Sequence, residues 1–194
     1  MIVIADAMTL RTGRTYRHRR GRGRTRVGAL KQSTMMKTIR QRPAVVETRE
    51  QIGHWEGDLI IGGRQRSAIA TLVERKSRLT LLMSMREGYS AQQLGDQLIA
   101  LFGTLPPALR RTLTWDQGNE MFHHQRVEQT IGMKIYFADP HSPWQRGTNE
   151  NGLLRQYFPK GTDLRSVNDQ RIHDVAQRLN QRPRLVLSLP TLVP

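Results

Sequence analysis

Three carboxylates stand where a folded chain could hold them rigidly. Asp58 closes His54-Trp55-Glu56-Gly57-Asp58 and runs into the apolar Leu59-Ile60-Ile61. Asp116 closes Arg111-Thr112-Leu113-Thr114-Trp115-Asp116 and is followed by Gln117-Gly118-Asn119. Both read as carboxylates on or at the end of a β-strand. Glu150 follows Asp116 after 33 intervening residues. It lies near the amino-terminal end of a helix predicted for Trp144 to Phe158, where Leu153, Leu154, Tyr157 and Phe158 recur at near-helical spacing. Two strand aspartates and one helix glutamate make an all-oxygen ligand set suited to Mg²⁺ or Mn²⁺. Such an ion activates a water or hydroxyl and stabilises the leaving oxygen in phosphoryl transfer.

The elements that must position these groups follow from local chemistry. Asp139-Pro140-His141-Ser142-Pro143 is a turn, because proline fixes φ and disfavours helix at the residue before it, so the helix carrying Glu150 begins only afterwards. Upstream, Pro43 to Gly53 is an approach segment and Gly53 to Gly63 a strand. Ser67 to Val73 and Leu79 to Met85 are further strands joined by the charged connection Glu74 to Arg78. Ser90 caps a helix through Phe102 with Leu94, Leu98, Ile99 and Phe102 on one face, and Gly103 and Pro106-Pro107 end it. Thr112 to Trp115 is a fourth strand, His124 to Ile131 a short helix, Met133 to Phe137 a fifth strand, and Ser166 to Gln181 a last helix. Periodicity alone therefore gives an α/β class.

Other polar residues have plainer roles in this reading. Glu56 and Glu74 are assigned to the surface or to salt bridges, although Glu74 could reach the site from an interior face. Asp139 caps a turn. His123, His124 and His141 lack a cysteine to complete a common zinc set and are assigned to solvent or phosphate contact. Trp55, Trp115 and Trp144 are assigned to the core, with base stacking the alternative for Trp144.

A formal net charge of +15 and a pI near 11.4 over 194 residues imply a polyanionic partner, most simply DNA or RNA. The charge is uneven: Met1 to Arg42 holds twelve Lys or Arg against one acid, Asp6. Glycine and like-charge repulsion oppose packing there, so residues 1–43 read as a flexible arm tracking phosphates through Arg17, Arg19, Arg20, Arg22 and Arg24. A solvated linker is the plain alternative. There is no cysteine, hence no disulfide or thiolate metal site. No apolar run approaches the roughly 20 residues of a membrane helix, and Met1 to Met8 is too short for a signal peptide. A cytoplasmic, nucleoid-associated protein is expected.

The segments GHWEGDLIIG, SAIATLVERKSR, LTWDQGNEMF and YFADPHSPWQRGTNE, with GLLRQYFPKGTDL after them, resemble the catalytic domain of the IS-thirty family of bacterial insertion-sequence transposases. The resemblance covers roughly Pro43 to Pro183. It implies an RNase H-like, retroviral-integrase-type core over residues 44–182, a mixed five-stranded sheet with helices on both faces. It further implies that Asp58, Asp116 and Glu150 are the catalytic carboxylates holding two Mg²⁺ (or Mn²⁺) ions. The implied activity is DDE transposition: water nicks the element end, and the released 3′-hydroxyl then attacks target DNA. Gln145, Arg146, Arg155 and Lys160 would form a DNA-binding surface around the site, and an active enzyme would be a homo-oligomer.

Three departures from the family pattern stand out. Asn149-Glu150-Asn151-Gly152-Leu153 is two residues shorter than the usual Asn-Glu-Asn-Thr-Asn-Gly-Leu. At about 100° per residue, that turns Glu150 by roughly 200° relative to the apolar face that follows it. Either the preceding loop adjusts or Glu150 no longer meets the aspartates. The upstream helix-turn-helix region is not legible before Arg42, and residues 183–194 form an altered tail after Asn180-Gln181-Arg182-Pro183-Arg184. Together these are expected of a truncated or decaying gene copy. The competing class is thus a catalytically inactive DNA-binding remnant. A third, a basic RNA-associated structural protein, leaves the three carboxylate motifs unexplained.

Overall fold

The β-branched and apolar runs become five strands in a computed structural model that describes residues 36–140, 142–147 and 151–182. These are β1 (His54–Ile61), β2 (Ala68–Glu74), β3 (Thr80–Met85), β4 (Thr112–Trp115) and β5 (Lys134–Phe137), in the sheet order β3-β2-β1-β4-β5. The first three pair antiparallel and are joined by tight connections, whereas β4 and β5 run parallel to β1 and need helical crossovers. Helices α1 (Val45–Thr48), α2 (Ala91–Gly103), α3 (His124–Ile131), α4 (Asn151–Tyr157) and α5 (Asp169–Asn180) complete the described elements. Among them no helix is long and apolar enough to cross a membrane.

Alternation along the strands divides the core between the two faces of the sheet. Ala68, Ala70, Leu72, Leu113 and Trp115 face α2 and α3, meeting Leu94, Leu98, Phe102, Val127 and Ile131. Ile60 and Ile69 face the other way, where Leu154 and Phe158 from the α4 region pack with Ile172, Val175 and Leu179 of α5. Each fully buried Leu, Ile or Phe contributes about 1.5–3 kcal/mol relative to exposure, so both layers matter. Ser90 does cap α2, its Oγ accepting from Gln93 N–H while the Gln93 side chain returns a bond to the Ser90 backbone.

Several expectations need correcting. Where a helix was predicted from Trp144, the described residues show a 3₁₀ turn over Pro143–Arg146 and α4 over Asn151–Tyr157. The last helix starts at Asp169, capped by Asn168 Oδ1 accepting from Arg171 N–H at 2.8 Å, because Ser166 is used in a preceding 3₁₀ turn. Of the two roles read for Glu56 and Glu74, surface or salt bridge, burial rules out the surface, and Glu56 takes the salt bridge. Glu56 pairs with Arg75, and Glu74 accepts the backbone N–H groups of Gly53 at 3.1 Å and Ser77 at 2.6 Å. His124 is buried with its ring edge-on to Phe137, not available to solvent or phosphate. Residues 37–42, assigned from sequence to the arm, run beside the sheet: Thr38 bridges Phe137, Phe137 N–H donates to Lys37 O, and Arg42 donates to Thr114 Oγ1.

Candidate active site

Parallel pairing of β1 with β4 sets His54 against Thr112 and Glu56 against Thr114. Continuing that register by two residues brings Asp58, in the middle of β1, beside Asp116, the residue just after β4. The approach is close because residue 57 is glycine: a Cβ there would lie 1.9 Å from the Trp115 ring. Trp115 is fully buried and fixes the end of β4 from behind.

Asp58 is held on several sides. Its Oδ1 accepts the Leu59 N–H at 2.8 Å, and its Oδ2 accepts from Asn151 Nδ2 at 2.6 Å. Asn151 Oδ1 in turn accepts from Thr71 Oγ1 at 3.0 Å, tying the first residue of α4 to the middle of β2. Arg146 bridges the two aspartates, Nη1 lying 3.3 Å from Asp58 Oδ1 and Nη2 3.5 Å from Asp116 Oδ2. Its Nη1 also donates to Gly57 O at 3.3 Å. Asp116 is the looser of the pair, 42% exposed against 26% for Asp58, yet its Oδ1 is buried and accepts no hydrogen bond from the described residues.

The electrostatics agree with that geometry. Burial pushes the Asp58 carboxyl above its ordinary pKa; Arg146 opposes the shift and the like charge of Asp116 adds to it. Burial also raises Asp116, against Arg146 and reinforced by Glu120. Glu120, whose Oε1 accepts from Trp115 Nε1 at 3.3 Å, is a neighbour that sequence reasoning passed over. Its four-residue spacing from Asp116 across a glycine turn was the available signal.

A polar cavity of about 460 Å³ opens beside Asp116, lined by Gln117, Ala138, Asp139, Ser142 and Arg146 among others. Gln145 braces the lining residue Asp139: its Oε1 accepts the Asp139 N–H at 2.7 Å and its Nε2 donates to Asp139 Oδ2 at 3.1 Å. Gln117 Nε2 donates to Ala138 O at 3.0 Å and ties the end of β4 to the residue after β5. Trp144, expected in the core, is 73% exposed, between the cavity-lining Ser142 and Arg146 in sequence.

Of the residues singled out in sequence, Asp58, Asp116 and Arg146 come together. Gln145 lies one shell away. Arg155 donates to Ile61 O at 3.1 Å on the same side of β1, and Lys160 is exposed beyond α4. Glu150, His141, Arg17, Arg19, Arg20, Arg22 and Arg24 lie outside the described residues. Asn151 was missed, since nothing in its type distinguishes a carboxylate-holding amide from a helix-starting one. Among the described residues no group of three His, Asp or Glu side chains is close enough to hold a metal. Two hard oxygen donors with an unsatisfied buried oxygen and surplus negative charge nonetheless fit a divalent cation that one more carboxylate would complete.

Comparison with known proteins bears on the whole arrangement. Residues 48–143 match the integrase core domain family. The chain is 47% identical over 181 residues to the transposase for insertion sequence element IS1086 of Cupriavidus metallidurans, covering 92% of this chain and 52% of that protein. It is 44% identical over 186 residues to the transposase InsI for insertion sequence element IS30C of Escherichia coli, covering 94% of this chain and 48% of that one. The chain belongs to the IS-thirty (IS30) family of transposases. It spans about half the length of these relatives. A chain of the simian T-cell lymphotropic virus intasome, solved with PP2A regulatory subunit B56 gamma, superposes with a TM-score of 0.50 at 17% identity, covering 74% of this chain and 59% of that one. The sheet order, the helices on both faces and this likeness make the fold RNase H-like.

Proposed function

We propose that this chain is the catalytic core of a DDE transposase that nicks DNA at insertion-sequence ends and transfers the strand to a target. The observation that carries this is the pairing of Asp58 on β1 with Asp116 just after β4, with charge left over after Arg146 is counted. Asp58, Asp116 and Glu150 would hold the cations, two Mg²⁺ or Mn²⁺ in the full reaction. When bound, such ions lower the pKa of an attacking water or hydroxyl and stabilise the leaving oxygen.

The chain's own residues do the rest. Asn151 and the Leu59 N–H fix the Asp58 carboxylate so that little reorganisation is needed during reaction. Gln145 holds the Asp139 turn in place, Trp144 is an exposed stacking platform, and Arg146, Arg155 and Lys160 receive phosphates. The DNA-tracking arm acts through Arg17, Arg19, Arg20, Arg22 and Arg24 and ends before Lys37, since residues 37–42 lie beside the sheet; the core runs on to residue 182, with residues 183–194 as a tail. The protein works in the bacterial cytoplasm on nucleoid DNA, as a homo-oligomer joining two element ends.

The test is Mn²⁺-dependent nicking and strand transfer on labelled element-end duplexes by the chain, by Asp58→Ala and by a version with Thr-Asn restored after Asn151. Activity in the chain that Asp58→Ala abolishes supports the proposal. Activity only after restoration would assign the chain to the inactive DNA-binding class.

A further inference from the structure

Arg146 does not sit as a solvent-facing phosphate ligand would. Its side chain is 11% exposed, and its two terminal nitrogens lie against the two aspartates and Gly57 O. The fit is incomplete. Both carboxylate distances, 3.3 and 3.5 Å, are longer than the 2.7–2.9 Å usual for a guanidinium–carboxylate bond. Its Nε–H is buried and donates to nothing among the described residues, while Asp116 Oδ1 is buried and accepts nothing. One guanidinium is thus balancing two carboxylates that β1 and β4 force together, without satisfying either partner. A divalent cation held between the same two carboxylates would lie within a few ångströms of the guanidinium, and the repulsion of the two positive centres sets them in competition.

The displaced side chain has an open space to enter. Arg146 ends the 3₁₀ turn Pro143–Arg146, lines the open cavity beside Asp116 and follows the exposed Trp144 and Gln145. A phosphodiester entering that cavity presents two oxygens in the spacing that a guanidinium fork accepts, which the splayed aspartates do not.

We infer that Arg146 is an exchangeable counter-ion that couples divalent-cation binding at Asp58 and Asp116 to phosphate binding at the cavity. This rests on the metal-site reading above and deepens it. Without either ligand the guanidinium neutralises the aspartates. A phosphate draws it away and opens the carboxylates to the cation, and a cation on the carboxylates frees it for phosphate. By linkage the two effects are equal in size. The centre therefore loads its cation preferentially on DNA, and Arg146 acts as a positioning residue as well as a phosphate contact.

The experiment follows Mn²⁺ binding by the electron paramagnetic resonance signal of the free ion, using the full chain alone and with a short duplex. Arg146→Gln is expected to bind Mn²⁺ about tenfold more tightly than the unaltered chain without DNA, and to lose most of the tightening that the duplex confers. Asp58→Asn should abolish the signal change in either background. Arg40→Gln removes the same charge from the cavity's edge, where Arg40 lies 3.5 Å from Asp139, and should alter the affinity by less than about threefold. Circular dichroism checks folding, and Arg146→Lys, which keeps the charge but not the fork, should fall between Arg146→Gln and the unaltered chain.

Binding that depends on Asp58 but is unchanged or weakened in Arg146→Gln overturns the inference and leaves the metal site standing. An equal rise in Arg40→Gln also overturns it, because the effect would then come from the general field. If no variant binds Mn²⁺ through Asp58, the metal-site reading fails and the inference with it.

Discussion

Strand β1 carries two carboxylates two residues apart, Glu56 and Asp58, and the structure treats them in opposite ways. At the Glu56 end, two guanidinium groups meet two carboxylates. Arg75 pairs with Glu56 and with Glu47, Arg42 pairs with Glu47, and Arg75 Nε donates to Val46 O at 3.0 Å while Arg42 reaches Thr114 Oγ1 at 2.7 Å. Glu56 is completely buried. At the Asp58 end, one guanidinium faces two aspartates with Glu120 close behind, through longer contacts, beside an open cavity. The first cluster is balanced in charge and sealed around Glu56, with Glu47 reaching solvent, so it serves to hold the fold together. The second is short of positive charge and keeps an oxygen unused, and that is what a cation-binding centre requires.

The largest expected effect is at the closed end. Arg75→Met removes the charge partner of a buried carboxylate and should cost about 3–5 kcal/mol in urea unfolding, whereas Arg75→Met with Glu56→Leu should recover much of it. A loss under about 1 kcal/mol for the single change would erase the distinction between the two ends. Asp58→Asn should do the reverse. It is expected to lower Mn²⁺-dependent nicking at least about a hundredfold, on the scale of disrupted metal sites. The melting temperature should not fall, because burial already makes the ionised Asp58 unfavourable in the fold.

Trp144→Ala sharpens the comparison from the surface. Its indole is exposed, so stability should change by no more than about 0.5 kcal/mol. Single-stranded DNA affinity, measured by fluorescence anisotropy, should weaken by the roughly 1–3 kcal/mol of a lost stacking contact. The smallest effect concerns His54, buried at the closed end with Nδ1 2.8 Å from Thr112 Oγ1. Burial, and then the nearby Arg111, hold its pKa below the ordinary 6.5. The unfolded chain takes up that proton near 6.5 while the folded chain resists. The contribution of His54 to stability is therefore complete above 6.5 and is lost as pH falls through the lower folded value. Denaturation midpoints across that window should slope downward in the unaltered chain and less so in His54→Gln.

What sequence could and could not convey divides along similar lines. The five strands, the capped helix α2 and the placement of Asp58 and Asp116 were legible because each rests on a local signal: alternation, an N-cap serine, an acid on or at the end of a strand. The Glu56 cluster was not. Whether a glutamate on a strand is solvated or sealed depends on Arg75 and Arg42 arriving from other segments, and Glu56 was read as a surface or bridging residue accordingly. Arg146 was identified as important from its place before Glu150. Its contact with both aspartates became visible only once the 3₁₀ turn Pro143–Arg146 replaced the expected helix. Asn151 carried no signal at all, since its partner Asp58 is 93 residues away.

The two margins of the sheet carry one further consequence. At the start of β3, Asn180 imitates a neighbouring strand: its Oδ1 accepts the Thr80 N–H at 2.8 Å and its Nδ2 donates to Thr80 O at 3.0 Å. At the other margin, Lys37 O accepts the Phe137 N–H of β5, with Thr38 bridged alongside. Both outer strands thus have backbone groups already engaged by the chain itself. Open margins are where sheets recruit one another into aggregates. Thr80 and Phe137 are thereby withdrawn from pairing with a strand of another molecule.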